Sequence, residues 1–443
     1  MKPIKSFFLG ERFFYLLALV IFLFVIGYFL PLFYVIAQVT FIALVFSSLS
    51  DIIVLYLNKK GVFAYRETPL RLSNGDENEI KIFVTNLYSF KVYITVIDEI
   101  PFQFQIRDFK IKVSLEPGIT KHIFYNLRPV KRGEYNFGEI NVFVSSPLQL
   151  VRKRFRFEGH KIIPVYPSYL QMRKYELFAI SDRLTEIGVK KIRRIGHSQE
   201  FEQIQDYVRG DDYRTINWKA TARKTKIMVN HFEDERSQNV YSLIDIGRVM
   251  KMPFNKMSLL DYSINASLVI SNVALRKSDK AGIVTFSNKV DKILPAERQA
   301  LQMQKILDLL YSQKTDFLET DFERLAATIL RKVIQRSLFL IFTNFETLNS
   351  LKRQLAYIKR LSSSHLVVVI FFQNTELLEF IDKPAATIEE IYNKTIAEKF
   401  SFEKRQIVKE LERFNIHSIL TSPQNLTIET LNKYLELKAR GLI

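Results

Sequence analysis

Residues 210–223, GDDYRTINWKATAR, crowd two adjacent carboxylates, two arginines, a lysine and the only tryptophan of the 443-residue chain into one short stretch. Paired carboxylates do acid–base work when they converge on one reacting atom, which adjacent residues on one loop rarely achieve, and no partner carboxylate is identifiable. Asp211 and Asp212 suit planar, paired hydrogen bonds from Arg214 or Arg223 instead. A buried Trp218 would add a large apolar area and an N–H that needs an acceptor. Two readings stand. The stretch is a clasp that docks the connecting segment onto the apolar strand VYSLID (240–245), or it is a contact surface for a partner or ligand. In a clasp, removing one member of a buried charge pair costs about 3–5 kcal/mol.

Other chemistries find little support. No GxxxxGK phosphate loop occurs, so nucleotide hydrolysis is not expected. His122, His160, His197, His231, His365 and His417 are scattered without HExxH or other ligand spacing. Gly196-His197-Ser198-Gln199-Glu200 imitates half of a nucleophile elbow but lacks the closing glycine and a preceding strand. With no cysteine, disulfides and thiolate–metal sites are excluded. A non-enzymatic protein is expected.

The elements that would position the stretch begin at a membrane. Between Arg12 and Asp51 lie 38 residues without a charge. One helical crossing needs ~20 apolar residues, so two are expected, near Phe13–Leu30 and Phe33–Leu57, with Pro31 near the turn and Asp51 close to the interface. A signal peptide has a shorter apolar region of ~7–15 residues ending in small residues. Lys2, Lys5 and Arg12 precede the first helix, Lys59, Lys60 and Arg66 follow the second, and the connection carries no charge. The positive-inside rule then places both termini and the soluble domains in the cytoplasm, on the inner membrane. The net charge of +18 fits a protein held against an anionic membrane face. The run Lys190-Lys191-Ile192-Arg193-Arg194 reads as a contact for lipid headgroups or an acidic partner, or as a solvated linker. It has no interleaved aromatics, and nucleic acid is not an expected partner.

Past the hairpin, KIFVTNL (81–87), KVYITVIDEI (91–100), IKVSL (111–115), KHIFYNL (121–127) and EINVFVSS (139–146) read as short strands punctuated by turn residues. Their spacing predicts an antiparallel β-sandwich of immunoglobulin-like type. Beyond residue 235, VYSLID (240–245), AGIVTFS (281–287), LFLIFT (338–343), HLVVVIFF (365–372) and HSILTS (417–422) alternate with helical periods near 256–277, 297–312, 321–336, 347–361, 385–413 and 426–440. In the period at 321–336, Phe322, Leu325, Ala326, Ile329, Leu330, Val333 and Ile334 hold one face. Near-continuous apolar strands between amphipathic helices predict a parallel sheet covered on both faces. Ligands of such folds sit at the carboxyl ends of the strands, here Asp245, Ser287 and Thr343. The expected organisation is a two-helix anchor (1–60), a β-sandwich (61–165), a linker with the polar stretch (166–235) and an α/β domain (236–443).

Residues 200–223, EFEQIQDYVRGDDYRTINWKATAR, resemble the signature of the family called domain of unknown function 58. Glu200, Phe201, Tyr207, Gly210, Asp211, Asp212, Arg214, Ile216, Trp218, Lys219, Ala222 and Arg223 match it. Gln205 replaces the family's usual Arg and Asn217 its usual Asp, and Ser146-Pro147-Leu148-Gln149-Leu150 is similar to a family turn. The resemblance implies a membrane hairpin, a β-rich segment and a von Willebrand factor type A-like α/β (Rossmann-like) domain. It also implies MoxR-type AAA+ ATPases and other von Willebrand A-type proteins as partners, in assembly or maturation of other proteins. Type A domains often bind Mg²⁺ through an Asp-x-Ser-x-Ser loop, a Thr and a further Asp. Here the first loop is Asp245-Ile246-Gly247-Arg248-Val249 without either serine, Thr320 fits the second position, and Asn344 stands at the third. Mg²⁺ prefers oxygen ligands in octahedral array, so this degenerate set predicts no metal cofactor. The face around Asp245 and Thr320 is the expected docking surface.

The alternative is a metal-dependent adhesion or ligand-binding receptor with its domains outside the cell. A tag on the C-terminus separates the two. Protection from protease on intact cells is the expected result, and cleavage would favour the receptor.

Overall fold

The computed structural model describes residues 6–57, 61–180, 200–208, 211, 213–224, 226–233, 237–384 and 387–442. The chain forms two compact units, Met1–Tyr166 and Pro167–Ile443.

The first unit opens with a short strand β1 (Phe7–Leu9) and two helices, α1 (Glu11–Phe29) and α2 (Pro31–Leu57), of 19 and 27 residues. Both are long and apolar enough to cross a membrane. Large apolar side chains face outward on each, including Phe22, Tyr28, Val39 and Phe46. The helices meet closely near their turn, where a Cβ at Gly27 would lie 2.7 Å from the Tyr34 backbone. Only glycine fits there.

Ten strands follow: β2 (Val62–Glu67), β3 (Leu72–Ser73), β4 (Asn78–Asn86), β5 (Val92–Asp98), β6 (Ile111–Leu115), β7 (Thr120–Leu127), β8 (Gly133–Phe137), β9 (Ile140–Ser145), β10 (Val151–Phe157) and β11 (Lys161–Tyr166). Buried and open positions alternate strictly along β4 and β5, as period-2 patterning requires. The sheets run β1-β10-β9-β5-β6, β2-β4-β7 and β3-β11-β8. Every pairing is antiparallel except β3 with β11. Residues of the first two sheets, such as Ala64, Val84, Ile94 and Val142, share one core with Val20, Leu44 and Leu55 of the helices. Sequence patterning missed β2, β3, β8, β10 and β11. In β10, VRKRFRF, charge breaks the apolar alternation.

Asp51 explains its own presence in an apolar helix. It is buried, and its Oδ2 accepts from the backbone N–H groups of Leu150 (3.1 Å) and Val151 (2.9 Å). A buried ionisable group in such a segment needs partners of this kind. Tyr88 and Lys153 both donate to the Leu55 carbonyl near the end of the same helix, each at 3.0 Å.

In the second unit, α3 (Tyr169–Ile180) precedes a two-stranded antiparallel ribbon, β12 (Glu200–Asp206) with β13 (Met228–Glu233), which flanks the short helix α4 (Trp218–Lys224). The rest is an α/β fold. Its strands β14 (Asn239–Asp245), β17 (Lys280–Phe286), β18 (Val290–Glu297), β19 (Leu338–Phe342), β20 (Leu366–Phe372) and β21 (His417–Thr421) lie in the order β18-β17-β14-β19-β20-β21. Only the edge strand β18 is antiparallel, and a small hairpin, β15 (Pro253–Phe254) with β16 (Met257–Ser258), follows β14. Helices α5 (Leu259–Arg276), α6 (Gln302–Tyr311), α7 (Phe322–Lys332), α8 (Leu348–Ser362), α9 (Thr375–Asp382), α10 (Ile388–Arg413) and α11 (Leu426–Ala439) cover it. Alternate strand residues Leu243, Phe286, Ile341 and Val369 pack with Leu325 and Ile329 of α7, Leu355 and Ile358 of α8 and Ile407 of α10. α5 packs against β14, β17 and α11. Each fully buried aliphatic or aromatic side chain contributes about 1.5–3 kcal/mol.

Two helix expectations change. The period at 321–336 stops at Lys332, where Arg331 and Lys332 meet the negative helix end, and Ile334 is 91% exposed beyond it. The period at 385–413 begins at Ile388 with a capping box of Thr387 and Glu390, and an unforeseen α9 precedes Pro384, which cannot continue a helix.

Replacing Asp51 with Ala leaves two buried backbone N–H groups without an acceptor, each at about 1–3 kcal/mol. Thermal unfolding of the detergent-purified chain is expected to show Asp51→Ala clearly destabilised, with Asp51→Asn, which keeps an acceptor oxygen, closer to wild type.

Candidate functional site

The order of β17, β14 and β19 reverses direction at β14, so the crevice beyond the carboxyl ends of β14 and β19 is the topological switch point of the sheet. Asp245 ends β14 there, and its side chain is fully buried. Its Oδ1 accepts from the Gly247 N–H at 2.7 Å and from Thr320 Oγ1 at 2.8 Å, and its Oδ2 accepts from Thr343 Oγ1 at 2.7 Å. The carboxylate therefore ties together the loop after β14, the loop before α7 and the end of β19. A Cβ at Gly247 would lie 2.2 Å from Thr320 Oγ1 and 2.9 Å from both Asp245 Oδ1 and the Leu318 carbonyl, so the loop closes only with glycine. Burial pushes the Asp245 carboxyl up to about 6 from its ordinary 3.8, and the bonds from Thr343, Gly247 and Thr320 oppose that rise.

Asn344 is turned elsewhere. Its Oδ1 accepts from Lys404 Nζ of α10 at 2.7 Å. Asn344 is buried, and the ammonium of Lys404 lies 5.7 Å from the ring centre of the buried Phe371. Burial pushes Lys404 down to about 8, opposed by the charge of Glu346. Sequence reasoning missed Lys404. Its position was legible, since 404 falls at helical spacing on the stripe of Ala397, Ile407 and Leu411 that α10 buries. A lysine there needs a reason.

Among the described residues, no group of three or more His, Asp or Glu is placed to hold a metal ion. The oxygens of Thr320, Thr343 and Asp245 are hard ligands, and here they bond to one another.

The signature stretch is built on the ribbon. Asn217 caps α4, its Oδ1 accepting from the Ala220 N–H at 3.0 Å, while its Nδ2 donates to Asn230 Oδ1 at 2.7 Å. Thr221 Oγ1 accepts from the Met228 N–H at 2.9 Å. The inward face of α4 is thus Asn217, Ala220 and Thr221, and Trp218, Lys219 and Arg223 fall on the open side. Trp218 is 71% exposed and Tyr213 70%. The burial of Trp218 expected of a clasp does not occur. Asp211 accepts from the Val208 N–H at 2.8 Å and closes its own turn. Arg223 stands in the last turn of α4, where its charge meets the helix end. Tyr207 is partly exposed, and its N–H donates to the Ile227 carbonyl at 2.8 Å. Glu200 and Phe201 begin β12 opposite Glu233 and Phe232. Their side chains, that of Arg214, and all of Gly210 and Asp212 lie outside the described residues, as does the basic run 190–194.

An apolar N-terminal hairpin, antiparallel sheets and an α/β unit define the architecture. Residues 203–383 match the model described as protein of unknown function DUF58. The uncharacterized protein YeaD of Bacillus subtilis (strain 168) is 29% identical over 175 residues, 39% of this chain and 41% of the relative. This chain therefore matches about two-fifths of that relative's length. Among solved structures, the conserved hypothetical protein BatB from Bacteroides thetaiotaomicron is similar over 46% of this chain and 100% of its own, at 11% identity and a TM-score of 0.29. A CARDB domain from Pyrococcus furiosus is similar over 24% of this chain and 93% of its own, at 17% identity and a TM-score of 0.17.

Because its pKa is raised on folding, Asp245 contributes stability that is complete below about 3.8 and is lost as pH rises through about 6. A rise from 3.8 to about 6 corresponds to on the order of 3 kcal/mol. Urea unfolding of wild type and Asp245→Asn from about pH 4 to about pH 7 is expected to move in the variant's favour by that order. A difference constant with pH would refute it.

Proposed function

We propose that the chain is a membrane-anchored, non-enzymatic protein-interaction module, and that the exposed face of the signature stretch is its contact surface. One observation carries this reading, the 71% exposure of Trp218 on a helix whose inner face holds only the small side chains Ala220 and Thr221. An indole left in water is what a partner surface uses as an anchor, since Trp, Tyr and Arg dominate binding energy at interfaces, and Tyr213 is likewise 70% exposed. Lys219 and Arg223 on the same side favour a partner with an acidic face. The Asp245 end of the sheet, with its carboxylate closed by its own loops, is the less favoured docking point.

In this reading the first unit's strands form an immunoglobulin-like sandwich, the second unit is von Willebrand factor type A-like, and both face the cytoplasm. The partner that the family resemblance suggests is a MoxR-type AAA+ ATPase, with assembly or maturation of other proteins as the outcome.

A crosslinking capture from membranes tests this, with Trp218→Ala compared with Asn217→Ala. The second change removes a helix cap at a cost of about 1 kcal/mol and leaves the indole in place. The expected result is capture of the ATPase by wild type and by Asn217→Ala, and loss of it in a Trp218→Ala protein whose melting temperature is unchanged. If Trp218→Ala instead melts early, the residue is structural. If it captures the ATPase as wild type does, the surface lies elsewhere.

A further inference from the structure

A pocket of about 220 Å³ opens beyond the carboxyl ends of β19 and β20, between the β15–β16 hairpin, α9 and α10. It is smaller than the ~300–1,000 Å³ of sites for drug-sized ligands, which limits it to a compact molecule. Its walls are mostly apolar, with Phe254, Phe372 and Phe400 among them. Lys404 and Glu346 both line it.

These two charges set the chemistry. Lys404 Nζ has three N–H donors, and among the described residues its one hydrogen bond goes to Asn344 Oδ1. Glu346 is near enough to act on Lys404 electrostatically, yet the two form no ion pair within 4.0 Å. A partly buried ammonium with donors to spare, an exposed carboxylate and aromatic side chains in one pocket lining match a ligand carrying both charges beside an apolar body. A simple carboxylic acid would meet Lys404 but be repelled by Glu346, and by Glu376, which also lines the pocket. A simple amine would leave Lys404 unanswered.

We propose that this pocket binds a free α-amino acid with an apolar side chain, its carboxylate on Lys404, its ammonium towards Glu346, and its side chain against Phe254, Phe372 and Phe400. The ligand closes the gap between two charges that the fold holds apart. The site is separate from the signature surface, so it stands or falls independently of the partner reading.

The test is isothermal titration of the full chain in detergent with L-leucine, L-methionine and L-phenylalanine, alongside 4-methylpentanoate and 3-methylbutylamine, which each lack one charge of leucine. At least one amino acid is expected to bind saturably, and both analogues to bind at least about tenfold more weakly, the usual loss when a charged hydrogen-bond partner is removed. Lys404→Met is expected to abolish binding. Glu346→Gln, at an exposed position that leaves folding intact, is expected to weaken the amino acid about tenfold while leaving 4-methylpentanoate unweakened. The proposal is overturned if none of the three amino acids binds, if 4-methylpentanoate binds as tightly as leucine, or if Glu346→Gln binds leucine as wild type does.

Discussion

The α/β unit turns on one buried carboxylate. Asp245 lies at the point where the strand order reverses, and each of its oxygens is answered by the protein, Oδ1 by Gly247 and Thr320 and Oδ2 by Thr343. An unpaired charge at that depth would cost several kcal/mol. The three donors come from three different segments, so satisfying the carboxylate fixes the loops at the whole end of the sheet. Gly247 is held to its identity by the same interaction, because any Cβ would collide with Thr320 Oγ1. Asn344, one residue past Thr343, is freed from this arrangement and pairs with Lys404 instead.

The first unit repeats part of this logic in its apolar helical hairpin. Asp51 interrupts an apolar helix because Leu150 and Val151 present two backbone N–H groups to it. In both units a carboxylate in an apolar setting marks where separate segments are bound together. The Asp51 partnership could not be read from sequence, because Leu150 is 99 residues away and a backbone donor leaves no trace in residue type. Asp245, Thr320 and Thr343 were legible as one strand-end face, but the bonds that close them on one another were not.

What was legible followed from periodicity. The hairpin, five strands of the parallel sheet and most of its helices emerged because strands buried on both faces, such as β19 and β20, are apolar throughout. The edge strand β18 was missed because VDKILPAE is half-exposed and carries charge. The signature was recognisable as a motif, but its burial was not. A tryptophan beside acids and arginines reads equally as a clasp or a surface until the helix phase is known. Asn217 sets that phase by capping α4, which turns Ala220 and Thr221 inward and Trp218 outward.

That outward indole is the central claim, and the chain carries no other tryptophan. Its intrinsic fluorescence therefore reports this one position without labelling. The purified chain is expected to emit close to free indole in water, to be readily quenched by acrylamide, and to shift blue with protection from quencher when the partner is added. A blue-shifted, quencher-protected emission from the chain alone would place Trp218 in a buried clasp and contradict the account.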